Sequence, residues 1–222
     1  MKLFSFRNVS FQYPEGPYVL RDLSVDLDKG RFYILKGPSG SGKSTFLRLM
    51  NRLEDPCAGN LLFKGEDICT RDATELRRSI LYIQQTPVVV KGSVRENLLL
   101  PFEFRANQGM KSPSEDYLKE MLSHFSLAEI SPDADAQGLS VGQQQRICFI
   151  RGLLLKPEII LLDEPTSALD EASSRIVEQM AGQLATQKGA TVVMVSHKSD
   201  APDLHVLEHL YLENGSIVLG RR

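Results

Sequence analysis

Gly37, Pro38, Ser39, Gly40, Ser41, Gly42, Lys43 and Ser44 follow the spacing G-x-x-x-x-G-K-[ST], with Thr45 next. Such a run suits phosphate. Glycines let the chain curl until successive backbone N–H groups converge on anionic oxygens, and a helix starting at the end of the run adds the positive end of its dipole. In this role Lys43 neutralises the outer phosphates of a nucleoside triphosphate and the Ser44 hydroxyl ligates Mg²⁺. The plainer alternative is a flexible Gly/Ser loop. The context favours the cradle: Arg31, Phe32, Tyr33, Ile34 and Leu35 form a short apolar strand ahead of it, and residues 44–53 have helical spacing after it.

A phosphate cradle needs an acidic partner for its metal. Ile159, Ile160, Leu161 and Leu162 run straight into Asp163 and Glu164. The apolar run reads as a buried strand, so both carboxylates are held at its end. Asp163 would hold Mg²⁺ through water, and Glu164 would polarise the attacking water as general base. Two carboxylates after a strand could also open a solvated loop. Together with the cradle, the pair points to nucleoside triphosphate hydrolysis.

The elements that position these groups follow from periodicity. Residues 3–13 alternate loosely and stop at Pro14 and Gly16, which predicts a strand and a turn, and residues 18–27 predict strands too. Thr191, Val192, Val193, Met194 and Val195 are a second wholly apolar run of the kind found in central parallel strands. Residues 93–125 are helical in pattern, with turn signals at residues 107–109 and 112–113. Residues 210–212 and 216–219 flank Glu213, Asn214 and Gly215 as a hairpin. The fold expected is α/β, a mixed sheet with helices and a helical subdomain.

Composition removes several classes. A chain of 222 residues can bury roughly 70% of its unfolded surface, so it needs no disulfide or metal to fold. A net charge of −2 gives no basic excess for nucleic acid. Cys57, Cys69 and Cys148 are scattered, with neither a disulfide framework nor a zinc spacing, which suits a reducing compartment. The first residues do not read as a signal peptide, and no apolar run approaches the ~20 residues of a membrane span. The expectation is a soluble, intracellular chain whose membrane role comes through a partner. His205, Val206, Leu207, Glu208 and His209 match H-x-x-E-H, but they lie before a terminal strand with no third ligand, and the match is read as chance.

Leu139, Ser140, Val141, Gly142, Gln143, Gln144, Gln145 and Arg146 resemble the LSGGQ signature of ABC ATPases. Asp163, Glu164, Pro165, Thr166, Ser167, Ala168, Leu169 and Asp170 look like that family's Walker B and D-loop. Gln85 before Thr86 and Pro87 is similar to its Q-loop, and His197 after Val195 and Ser196 sits where its switch histidine belongs. Tyr13 falls where an aromatic stacks on adenine, with Tyr18 as substitute. The resemblance covers essentially the whole chain, in the right order.

It implies a P-loop NTPase (RecA-like) core with an N-terminal antiparallel β subdomain and an inserted α-helical subdomain. The core with its β subdomain would take about residues 1–85 and 149–222, and the helical part, carrying the signature, about residues 86–148. It implies ATP and Mg²⁺ as cofactors, with Ser44, Gln85 and Asp163 at the metal and Glu164, His197 and Gln85 as the catalytic set. Ser140, Gly142 and Gln143 would contact the ATP of a partner chain, and Ser167, Ala168, Leu169 and Asp170 would form the D-loop between chains. One departure stands out: the family has Gly-Gly where this chain has Val141 and Gly142, so the valine either points away or crowds the closed dimer.

One cradle and one signature per chain imply a head-to-tail homodimer closed by ATP. The leading expectation is the ATPase subunit of an ABC transporter, peripheral on the cytoplasmic face of the membrane through an integral-membrane permease. No nucleic acid is expected. Residues 87–104 are apolar, with Val88, Val89, Val90, Leu98, Leu99, Leu100, Phe102 and Phe104, and read as part groove for a permease helix and part core. No regulatory tail is read after the hairpin. Residues 65–68, 85–87 and 96–102 look most like the small Fet-type ATPases assigned to iron or metal export, with lipoprotein-release and macrolide-efflux ATPases as near rivals. The competing classes are a mechanical ABC module on ribosomes or DNA and a P-loop small-molecule kinase.

Overall fold

The computed structural model describes residues 1–167, 169–196 and 204–220. In chain order the elements are β1 (Lys2–Gln12), β2 (Tyr18–Asp28), β3 (Phe32–Lys36), α1 (Lys43–Met50), β4 (Ala58–Phe63), β5 (Glu66–Asp67), α2 (Ala73–Ser79) and β6 (Ile80–Ile83). They continue with α3 (Val94–Glu103), α4 (Glu115–His124), α5 (Val141–Leu153), β7 (Ile159–Asp163), α6 (Glu171–Lys188), β8 (Thr191–Val195), β9 (Leu207–Glu213) and β10 (Ser216–Gly220).

Two sheets result. One is antiparallel, in the order β2-β1-β4-β5. The other runs β10-β9-β3-β8-β7-β6, parallel throughout except for the edge hairpin β9-β10. Strands β7 and β8 are buried along their whole length, which accounts for their unbroken apolar runs.

The alternation of side chains divides the core. Tyr33, Leu35, Ile159, Leu161, Val193 and Val195 point to one face, where α1 and the antiparallel sheet cover them. Phe46 of α1 stacks on Phe6 of β1 with centroids 4.4 Å apart. Phe32, Ile34, Ile160, Leu162, Val192 and Met194 point to the other face, under α3, α4, α5 and α6. Successive residues of one strand thus hold both layers, as a period of two requires. The expected helical region is split into α3 and α4, and the signalled turns fall between them.

One polar cluster pins the first sheet. Asp26 of β2 accepts from Ser5 Oγ at 2.6 Å and Arg7 Nη2 at 2.5 Å, and Lys2 Nζ lies 2.6 Å from it. Burial pushes this carboxyl up, but the bonds from Lys2, Ser5 and Arg7 outweigh it and hold it at about 2, against an ordinary 3.8. A carboxyl lowered by folding stabilises the fold fully above its unfolded value and loses that contribution as pH falls through its folded value. Asp26→Asn is therefore expected to lower thermal stability at pH 7 by about 1 kcal/mol, or about 2–4 °C, the upper end for solvent-screened pairs. The gap to the wild type should narrow below pH 3.8 and close near pH 2. Melting curves across that range check this, and a gap independent of pH would contradict it.

Candidate active site

Because β3, β6, β7 and β8 are parallel, their carboxyl ends open on one edge of the sheet. Leu35 pairs with Val195, and Val195 pairs with Asp163, so the ends of β3, β8 and β7 are level. Ile83 pairs with Leu162, which brings the end of β6 alongside. The chain leaves β3 for the cradle, β7 for Glu164 and β6 for Gln84 and Gln85. Ligand sites in open parallel sheets lie at such edges.

The cradle is built as its spacing requires. A Cβ on Gly37 would stand 2.3 Å from the Leu212 carbonyl oxygen, and one on Gly42, at φ +99°, would stand 2.7 Å from Val19 Cγ1. Neither position accepts a side chain. Gly42 is also the N-cap of α1, so no side chain occupies the first amides of that helix. They face the loop as donors for an anion. Lys43 is buried, and its Nζ donates to the carbonyls of Gly37 at 3.0 Å and Pro38 at 2.9 Å. An ammonium has three donors, so one is left for a phosphate oxygen. The Ser41 hydroxyl oxygen is buried without a hydrogen-bond partner among the described residues. Pro38, Ser39 and Gly40 complete the turn of the loop.

Ser44 Oγ donates to Asp163 Oδ1 at 3.0 Å, joining the cradle to the end of β7. Asp163 is only 6% exposed. A hydroxyl and a carboxylate held together suit a hard divalent cation such as Mg²⁺, and the amides, Lys43 and this pair together fit a metal-bound triphosphate. Such a cation, when bound, would neutralise charge on the phosphates.

Glu164 takes a left-handed backbone conformation, φ +46°. Eight other non-glycine residues among those described share a positive φ, so the conformation marks a tight turn after β7. Its carbonyl accepts from Ser167 N at 3.2 Å and Ser167 Oγ at 3.0 Å. Glu164 lines a cavity of about 350 Å³ together with Thr166, Ser167, Leu169, Val195 and Ser196.

Gln85 Nε2 donates to Ser167 Oγ at 3.0 Å, so Gln85 meets the loop after Glu164 rather than Ser44 or Asp163. Gln84, its neighbour, offers its carbonyl to Gln145 Nε2 of α5 at 3.4 Å. Tyr13 is 38% exposed, stands edge-on to Phe11 and has its phenol 3.2 Å from Thr45 Oγ1. The face of Tyr18 is covered by the Arg21 guanidinium at 5.1 Å, which leaves Tyr13 the better platform for a base.

Ser140 is the N-cap of α5, and Ser140 and Gln143 cap each other reciprocally, with bonds of 3.3 and 2.9 Å. The reading of this segment as a helix start with a serine cap is therefore part of its structure. The Ser140 hydroxyl still has its own hydrogen to give. Val141 is 51% exposed and points away from the chain's own core. A Cβ on Gly142 would meet Ser173 Oγ at 3.0 Å, so glycine lets α5 approach α6 closely. Asp170 caps α6 through Ser173 N at 2.7 Å, and that bond lowers its pKa. Leu169 packs against the helical face of the core. Ala168 and His197 lie outside the described residues. His205 falls in a turn, and His209 of β9 stacks on Tyr211 at 6.2 Å. No three metal-ligating side chains cluster among the described residues.

Two residues at this edge lie outside every motif. Tyr82 of β6 donates its phenol hydrogen to Asp163 Oδ2 at 2.7 Å. Burial, and then this bond, push the phenol up to about 12. Arg48, in the last turn of α1, is raised chiefly by its hydrogen-bonding approach to Tyr82. A tyrosine in a short strand gives no sequence signal of this role.

A family model described as "ABC transporter" matches residues 20–167. A protein named "Probable iron export ATP-binding protein FetA" of Escherichia coli K12 is 34% identical over 198 residues, covering 89% of this chain and 86% of its own. The "Sophorolipid transporter" of Starmerella bombicola is 38% identical over 202 residues, which is 87% of this chain but 15% of that protein. Among solved structures, a bacterial Atm1-family ABC exporter with ATP bound superposes with TM-score 0.82 at 26% identity, over 98% of this chain and 38% of the other. The matched span runs from β2 through the cradle and signature to Ser167 beyond Glu164, and the chain belongs to the ABC transporter family as an ATP-binding subunit and ATPase.

Proposed function

We propose that the chain hydrolyses Mg-ATP between two copies of itself and thereby drives a separate integral-membrane permease from the cytoplasmic face. In this reading the cradle, Lys43 and Tyr13 hold ATP, Ser44 and Asp163 hold Mg²⁺ with Gln85 at its edge, and Glu164 with His197 activates water. Ser140, Gly142 and Gln143 of one copy close on the ATP of the other, and the loop of Ser167, Ala168, Leu169 and Asp170 runs between them. The observation that carries it is the Ser44–Asp163 hydrogen bond, which makes cradle and carboxylate one site. The helical part would span about residues 86–148.

Two features support a permease partner. No described helix is long and apolar enough to cross a membrane, so a transport role needs spans other than the described helices. A groove of about 820 Å³ between α2, α3 and α5 is lined by Pro87, Val88, Pro101 and Phe104, with Arg77, Arg78, Arg105 and Arg151 outnumbering Asp72 and Glu75 around it. Phe104 and Val88 are more than half exposed, while Val94 and Leu98 of the same segment are core. An apolar floor with basic residues suits a short helix with apolar anchors and acidic flanks. The likeness to the E. coli protein named for iron export supports metal export as the transport reaction.

A tagged Glu164→Gln chain, locked with ATP and used to capture partners from native membranes, tests this. A multi-span membrane protein at about one-to-one by mass spectrometry supports it. Ribosomal or DNA-processing proteins would overturn it in favour of a mechanical ATPase.

A further inference from the structure

The Asp163 carboxylate is held at both oxygens by different elements. Ser44 Oγ of α1 donates to Oδ1 at 3.0 Å, and the Tyr82 phenol of β6 donates to Oδ2 at 2.7 Å. The Tyr82 phenol has one hydrogen to give, and it is directed at Asp163.

We propose that Tyr82 is a positioning residue for the divalent cation: it fixes the plane of the Asp163 carboxylate so that Oδ1 is presented beside Ser44. The inference rests on the reading of this edge as a Mg-nucleotide site. A carboxylate at the end of a strand can still rotate about its side-chain bonds. Ser44 alone would hold it by one oxygen, and that hold changes when the serine oxygen turns to a cation. A second donor on the far oxygen, anchored in the neighbouring strand, removes this freedom. Partners that orient a metal ligand in this way are typically worth about 10–100-fold in metal affinity.

Titration with a fluorescent ATP analogue, in EDTA and then across a range of Mg²⁺, tests the proposal without reading activity. Tyr82→Phe keeps the ring, which packs beside the core, and removes only the hydroxyl. The variant should bind the analogue in EDTA as the wild type does, with its melting temperature lowered only by the few degrees that one lost buried hydrogen bond costs. Its half-saturating Mg²⁺ should rise about tenfold or more. An unchanged Mg²⁺ requirement in Tyr82→Phe, or one that rises together with weaker binding in EDTA, overturns the proposal. A wild type whose binding ignores Mg²⁺ overturns the underlying site reading as well, which separates the two failures.

Discussion

Glu164→Gln is expected to bind Mg-ATP as the wild type does and to hydrolyse it at least ~100-fold more slowly, the loss expected when a general base is removed. The backbone makes this a clean substitution. Glu164 holds its left-handed conformation through what surrounds it, including the two bonds that Ser167 gives to its carbonyl. Glutamine has the same length and the same backbone preference, so the loop after β7 should keep its path. The ability to take a proton from water in the adjoining cavity would be lost. Single-turnover hydrolysis, measured beside nucleotide affinity, separates the two effects. Equal rates for the two proteins would remove Glu164 from its assigned role.

The second large effect is on binding. Lys43→Ala removes the donor to the Gly37 and Pro38 carbonyls and the positive charge beneath the phosphates. Charge-assisted bonds are each worth about 1.5–3 kcal/mol. Losing the one left for a phosphate, together with the charge itself, should weaken ATP binding about 100-fold, a shift of about 2.8 kcal/mol. Fluorescent-analogue titration reads this directly. Unchanged affinity would mean that the helix amides alone carry the phosphates.

The cradle and the carboxylates were legible because each is a contiguous run whose residue types have one efficient use. The apolar runs ending at Val195 and Asp163 announced buried strands, and both are buried throughout. The helix after the cradle starts at Lys43 and stops at Met50, earlier than its apolar spacing to residue 53 implied. Strand β4 left little trace, since Ala58, Gly59 and Asn60 are exposed and only Leu61 and Phe63 are buried. Helix α6 escaped notice too, because the buried face of its 18 residues is made of small side chains: Ala181, Gly182 and Ala185 beside Val177. Tyr82 was invisible for a different reason. Its bond to Asp163 depends on β6 lying next to β7, a pairing between segments about eighty residues apart that no local pattern encodes.

In the proposed dimer one chain supplies the cradle and another the signature. Light scattering of Glu164→Gln at tens of micromolar, with and without Mg-ATP, tests that most directly. A mass that doubles with Mg-ATP and returns to the monomer when nucleotide is removed is the predicted result. A chain that stays monomeric with Mg-ATP bound would contradict the shared site.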